Sequence, residues 1–144
     1  MEIRYAVHPA HAKTLTTEAA RDQFIIEGLF APDGVKLVYS YDDRLIVGGI
    51  CPLTPQKLEV DEKIIGAASL LERREMGVFN IGGAGTISVD GEIYQMGPRD
   101  GLYIGRGAGE LVFASGSEAS PAKYYLNCSP AHTSYPTKKI TFDE

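Results

Sequence analysis

Between Gly77 and Gly109 short β-prone runs alternate with clusters of turn residues: Gly82-Gly83-Ala84-Gly85, Asp90-Gly91, Gly97-Pro98-Arg99-Asp100 and Gly105-Arg106-Gly107. Reversals this closely spaced leave no room for a long helix and force neighbouring runs to pair antiparallel. The Asp90-Gly91 step is the clearest of them, because both residues tolerate the positive φ angles of a two-residue hairpin turn. A chain punctuated in this way can bury its apolar residues only by folding its strands into a small sandwich or barrel.

The same rhythm extends in both directions. Strands are expected at 35–39, 44–50, 57–60, 75–80, 85–89, 92–96, 102–104, 110–114 and 123–127, with a further apolar, aromatic-rich run at 24–30. Ala31-Pro32-Asp33-Gly34 has turn chemistry. Thr16 or Thr17 can cap a short helix over 18–23, the one helix of note. The fold expected is all-β, an antiparallel barrel or jelly roll with one short N-terminal helix, and its cadence resembles the cupins. Leu37, Ile46, Val78, Ile87, Val89, Leu102, Ile104 and one of Val112 and Phe113 are expected to point inward, by strand alternation. A segment 1–30 packs on the barrel, 31–128 forms it, and 129–144, polar and proline-containing, reads as a connector leading away toward a second half.

The 144 residues suit one domain, large enough to bury a core without disulfides or metal. A net charge of −5, with no basic run beyond Arg73-Arg74 and Lys138-Lys139, argues against a nucleic-acid partner. Apolar runs such as 45–50 fall far short of the ~20 residues that span a bilayer, so no membrane partner is expected. The first residues show no apolar leader. Two cysteines, Cys51 and Cys128, make no disulfide framework, which favours a reduced, cytoplasmic setting.

Groups able to carry chemistry are few. Cupin enzymes usually hold a metal with His-x-His, a carboxylate and a later histidine, and none stands where the cadence calls for it. His8-Pro9-Ala10-His11 is a pair without a third ligand, and surface or interface positions explain it better than zinc. Cys128 and His132 likewise lack a second pair, so a buried thiol beside a loop histidine accounts for them. Glu72-Arg73-Arg74-Glu75 precedes the strongest strand. Its guanidinium groups suit a carboxylate-bearing ligand, while an exposed ion-paired turn or a subunit contact explains them better. Gly82-Gly83-Ala84-Gly85 leads into a strand, not a helix, so it is a turn and not a phosphate loop. No nucleophile elbow is present.

Several longer segments resemble one family closely, the 5-keto-4-deoxyuronate isomerases (4-deoxy-L-threo-5-hexosulose-uronate ketol-isomerases). They are His11–Leu15, Asp43–Ile50, Leu71–Thr86 and Pro121–Lys139. The resemblance implies a ketol-isomerase of uronide and pectin breakdown with a small uronate substrate, built from two cupin-like halves and assembled as a hexamer. This chain matches the N-terminal half. The family's zinc, held by three histidines and a glutamate, belongs to the other half. Overlaying Glu72-Arg73-Arg74 on that ligand segment puts Ser69 and Leu71 at two of the histidines, Met76 at the glutamate and Gly109 or Glu110 near the third histidine. The resemblance therefore implies no catalytic residue, no metal ligand and no bound cofactor here, with Glu72, Arg73, Arg74, Tyr103 and His132 as candidate substrate-lining residues. The alternative is a non-catalytic sugar-binding or assembly module. At least a dimer is expected, through the segment up to Leu15 and the tail from Pro130 to Phe142.

Overall fold

The structure is a computed structural model that describes residues 1–143. Among them are eleven strands: β1 (Glu2–Arg4), β2 (Gly34–Ser40), β3 (Leu45–Cys51), β4 (Gln56–Lys57), β5 (Arg74–Asn80), β6 (Gly85–Val89), β7 (Glu92–Met96), β8 (Gly101–Ile104), β9 (Leu111–Ser115), β10 (Tyr124–Pro130) and β11 (Lys138–Ile140). Three short helices join them, α1 (Pro9–Ala12), α2 (Thr17–Phe24) and α3 (Glu62–Ile65). Strands hold 38% of the chain and helices 11%, an all-β composition.

The strands form two sheets. One runs β1-β2-β3-β10-β5-β8-β11 and the other β4-β9-β6-β7. All pairings are antiparallel except β1 on β2, where Glu2 lies beside Val38. The sheets pack face to face as a jelly roll and do not close into the barrel that the turn cadence suggested. Closure fails where edge strands are brief. The strand expected over 57–60 is limited to Gln56–Lys57, because Asp61 turns the chain by accepting a hydrogen bond from the Lys63 amide at 2.9 Å and capping α3.

The inward rows make the core. Ile46, Ile87, Ile104, Phe113, Tyr124 and Leu126 are fully buried, and Leu37, Val78, Val89 and Leu102 nearly so. Phe113 takes the inward place and Val112 the outward one. Tyr124 from the larger sheet crosses to Phe113 of the smaller, ring centroids 5.4 Å apart, and its hydroxyl donates to the Ala114 carbonyl at 2.9 Å. That crossing requires glycine at 85, since the Tyr124 hydroxyl and the Ala114 carbonyl occupy the space a Cβ would need.

Local chemistry accounts for the remaining differences. Thr16 caps α2 through the Ala19 amide, as its sequence suggests. The run 24–30 is irregular past Phe24 and not a strand: Gly28 sits at φ 66°, and Leu29 lies against Gly49 on the outer side of β3. Asp90 and Gly91 both take positive φ in the hairpin foreseen for them. Of the stretch after Cys128, residues 129–130 and 138–140 lie on the larger sheet. β10 continues to Pro130, and β11 pairs Lys138 with Tyr103 and Ile140 with Gly101.

Candidate functional site

The link from β4 through α3 to β5 frames an open cavity of about 320 Å³ at one end of the sandwich. Gly66 ends α3 at φ 67°, freeing the chain to double back through residues 68–71. The Ala68 amide donates to Glu72 at 2.9 Å, and the Leu71 carbonyl accepts from Gly107 at 2.7 Å, which fixes the loop to the opposite corner. Ser69, Leu71 and Gly109 all line the cavity, with Glu59 and Glu62 on its rim. Met76 instead sits 1% exposed in the core.

Three of the positions the overlay singled out therefore share one cavity, but their chemistry does not fit zinc. They offer a hydroxyl, an aliphatic side chain and a backbone, with a thioether buried below. Zinc sites are built from imidazole, thiolate and carboxylate donors, and no group of three such residues gathers among the described residues. The rim carboxylates also give this cavity the wrong sign for an anionic sugar.

Of the other candidates, Arg73 and Arg74 part company, while Tyr103 and His132 both border Glu75. Arg73 is exposed, 3.6 Å from Glu72. Arg74 points the opposite way, into the protein, donating to the Arg44 carbonyl at 2.7 Å and the Tyr39 hydroxyl at 3.1 Å, with its guanidinium 5.1 Å from the Tyr39 ring centre. Tyr103 lies on the outer face of the larger sheet and donates to Glu75 at 2.7 Å. Desolvation, reinforced by the Glu75 carboxylate, pushes the Tyr103 hydroxyl up to about 12, so it does not ionise near neutrality. His132 shares a small cleft of about 110 Å³ with Glu75 and Tyr135. Burial, opposed by the nearby Arg74, pushes the Cys128 thiol up to about 12 and makes it inert.

Sequence reasoning passed over two residues that organise this region. Arg106 donates to the Glu72 carbonyl at 3.0 Å and to those of Ala131 and His132, tying the loop before β5 to the segment after β10. Its signal was an arginine between glycines at a corner, with Gly105 leaving no room for a Cβ beside the Tyr135 carbonyl. Asn80, fully buried, is the other, and strand alternation from Val78 places it inward.

Two antiparallel sheets with a jelly-roll order and a cavity at one end define a cupin. In keeping with this, an RmlC-like cupin protein from Desulfovibrio desulfuricans superposes with a TM-score of 0.51 at 16% identity, covering 74% of this chain and 93% of that one. The sequence profile of the KduI/IolB family matches residues 24–144, and the chain belongs to that family. It is 56% identical over its whole length to proteins named 4-deoxy-L-threo-5-hexosulose-uronate ketol-isomerase from Escherichia coli O8 (strain IAI1) and Shigella sonnei (strain Ss046). The chain spans about half, 52%, of the length of these curated relatives.

Proposed function

We propose that these residues are the N-terminal, non-catalytic half of a ketol-isomerase that interconverts a 5-keto-4-deoxyuronate and its ketol isomer in cytoplasmic uronide breakdown. One observation carries the reading: 56% identity sustained across the whole chain to named ketol-isomerases, over 52% of their length. Ketol isomerisation moves a proton between adjacent carbons through an enediol. It needs a base at the carbon and an electrophile on the carbonyl. The end cavity offers no electrophile at Ser69, Leu71 and Gly109, and the ionisable residues that line it are Glu59 and Glu62. Zinc belongs to the other half in this reading, and the chain's own part is to support that half.

The purified chain is expected to turn over no keto-uronate above the buffer rate and to retain no stoichiometric zinc after chelation. Adding the complementary half of an isomerase relative is expected to give activity that neither part shows alone. Turnover by the chain on its own defeats the proposal, as does full activity of the complementary half without it.

A further inference from the structure

An aspartate followed by glycine is the peptide step most open to reaction with itself, because glycine puts no side chain in front of its amide nitrogen. The sequence has three such steps, Asp33-Gly34, Asp90-Gly91 and Asp100-Gly101. In each, backbone amides hold the carboxylate, but the holds differ. Asp33 accepts from the Leu53 amide at 3.0 Å and the Thr54 amide at 2.8 Å, and also from the Thr54 hydroxyl and the Gln56 side chain. Asp100, 7% exposed, accepts from the Gly97 and Phe142 amides and pairs with Lys139. Asp90 lies at the surface and accepts from the amides of Gly109 at 3.1 Å and Glu110 at 2.7 Å, with no side-chain donor added among the described residues.

The three glycines differ as well. The Gly34 amide is engaged with the Ala31 carbonyl at 3.0 Å, and Gly101 lies inside β8 with a paired strand on either side. Gly91 sits exposed at φ 88° in the β6–β7 turn, and its amide finds no backbone acceptor among the described residues. Nothing lies within 4 Å of the place a Cβ would take there. Only at this step are a lightly held carboxyl and an uncommitted nitrogen adjacent.

We infer that Asp90-Gly91 is a site of spontaneous covalent modification, where the aspartyl link rearranges to isoaspartyl through a cyclic imide. The Gly91 nitrogen attacks Asp90 Cγ. An N–Cγ bond forms, the Cγ–OH bond breaks, and the hydroxyl departs as water with the amide proton. Water then reopens the ring. Entry at Cγ restores aspartate, whereas entry at the main-chain carbonyl leaves Gly91 joined through Cγ. Cyclisation requires the carboxyl to let go of its amides, so the rate follows local opening, and two surface amides release sooner than four donors or a buried ion pair. The Thr54 amide, then the Gln56 side chain, hold the Asp33 carboxyl below its ordinary value, and the Lys139 hydrogen bond does so at Asp100. Both therefore carry less of the protonated form from which the hydroxyl leaves. The product adds a backbone atom to a two-residue turn and detaches the carboxylate from Gly109, which lines the end cavity. The inference is independent of the isomerase reading, since it rests on the environment of three peptide steps.

Storage of the chain at about pH 7 and ~37 °C, followed by peptide mapping, tests it. Isoaspartyl peptides are separated from their aspartyl isomers and resist an aspartate-specific protease. Isoaspartate is expected at 90 at least ~10-fold faster than at 33 or 100, the difference in opening that the fold imposes. In denaturant all three steps should convert at comparable rates. Earlier conversion at 33 or 100 in the folded chain overturns the inference. So does an unmodified Asp90 over a period in which the denatured chain converts, or a denatured chain that keeps the same ranking, because the fold would then not select the site.

Discussion

Arg73 and Arg74 are consecutive and chemically identical, yet one lies in water and the other in the protein. The entry to β5 decides this, since alternate side chains of a strand point to opposite faces. Arg74 falls in register with Met76, Val78 and Asn80, all buried. Its charge is accommodated by one carbonyl, one hydroxyl and the face of an aromatic ring. At the far end of the same row, Asn80 works harder. Its amide nitrogen donates to the carbonyls of Gly83, Met96 and Gly97, and its oxygen accepts from Gly82 and Lys123. One side chain thereby joins the β5–β6 turn, the end of β7 and the start of β10. Asn80→Ala strands several buried backbone groups and should cost roughly 3 kcal/mol. Thermal melting should show a drop of about 10 °C. A loss below about 2 °C would mean that the turns hold without it.

At the scale of elements, β11 depends on one carboxylate. Asp100 accepts from the Lys139 ammonium at 2.8 Å, the Gly97 amide at 2.8 Å and the Phe142 amide at 3.2 Å. The Lys139 hydrogen bond, first among these, holds the carboxyl below its ordinary 3.8 despite burial. A depressed carboxylate stabilises the fold above its unfolded value and loses that contribution as pH falls through the folded one. Wild type should therefore melt above Asp100→Asn at about pH 6, and the gap between the two midpoints should shrink as pH falls below the ordinary 3.8 and through the folded value. Parallel midpoints across that range would remove Asp100 from this role. The sequence made the longer strands legible because each carries its own alternation and its own turn residues, as 85–89 and 92–96 do. Strands β1 and β11 have three residues each and exist only because a neighbour pairs with them, so periodicity had nothing to read. The segment 24–30 misled for the opposite reason: Leu29 covers Gly49 of a finished sheet, while Phe24 and Ile25 stay exposed. The end cavity was partly visible, through the positions of Ser69, Leu71 and Gly109. The divergence of Arg73 from Arg74, and the meeting of Tyr103 and His132 at Glu75, were not, because they depend on which face of which strand each one meets.

Considered whole, the molecule keeps both thiols out of reach, with Cys51 2% and Cys128 0% exposed on different strands of one sheet. Neither should react with a thiol reagent at about pH 8 while the fold is intact, and both should react together in denaturant. The labelling rate then measures global opening. Rapid modification of one thiol in the native protein would reveal a separate local opening. The way the larger sheet ends has a further consequence. On one side it finishes with Glu2-Ile3-Arg4 and on the other with Lys138-Lys139-Ile140, so the outermost strand at each margin is three residues long and charged. Such hems give another chain little backbone to add to, and lysine at a margin opposes a stranger's approach. Growth by strand addition, the route to fibres, is therefore opposed at both selvages of the larger sheet.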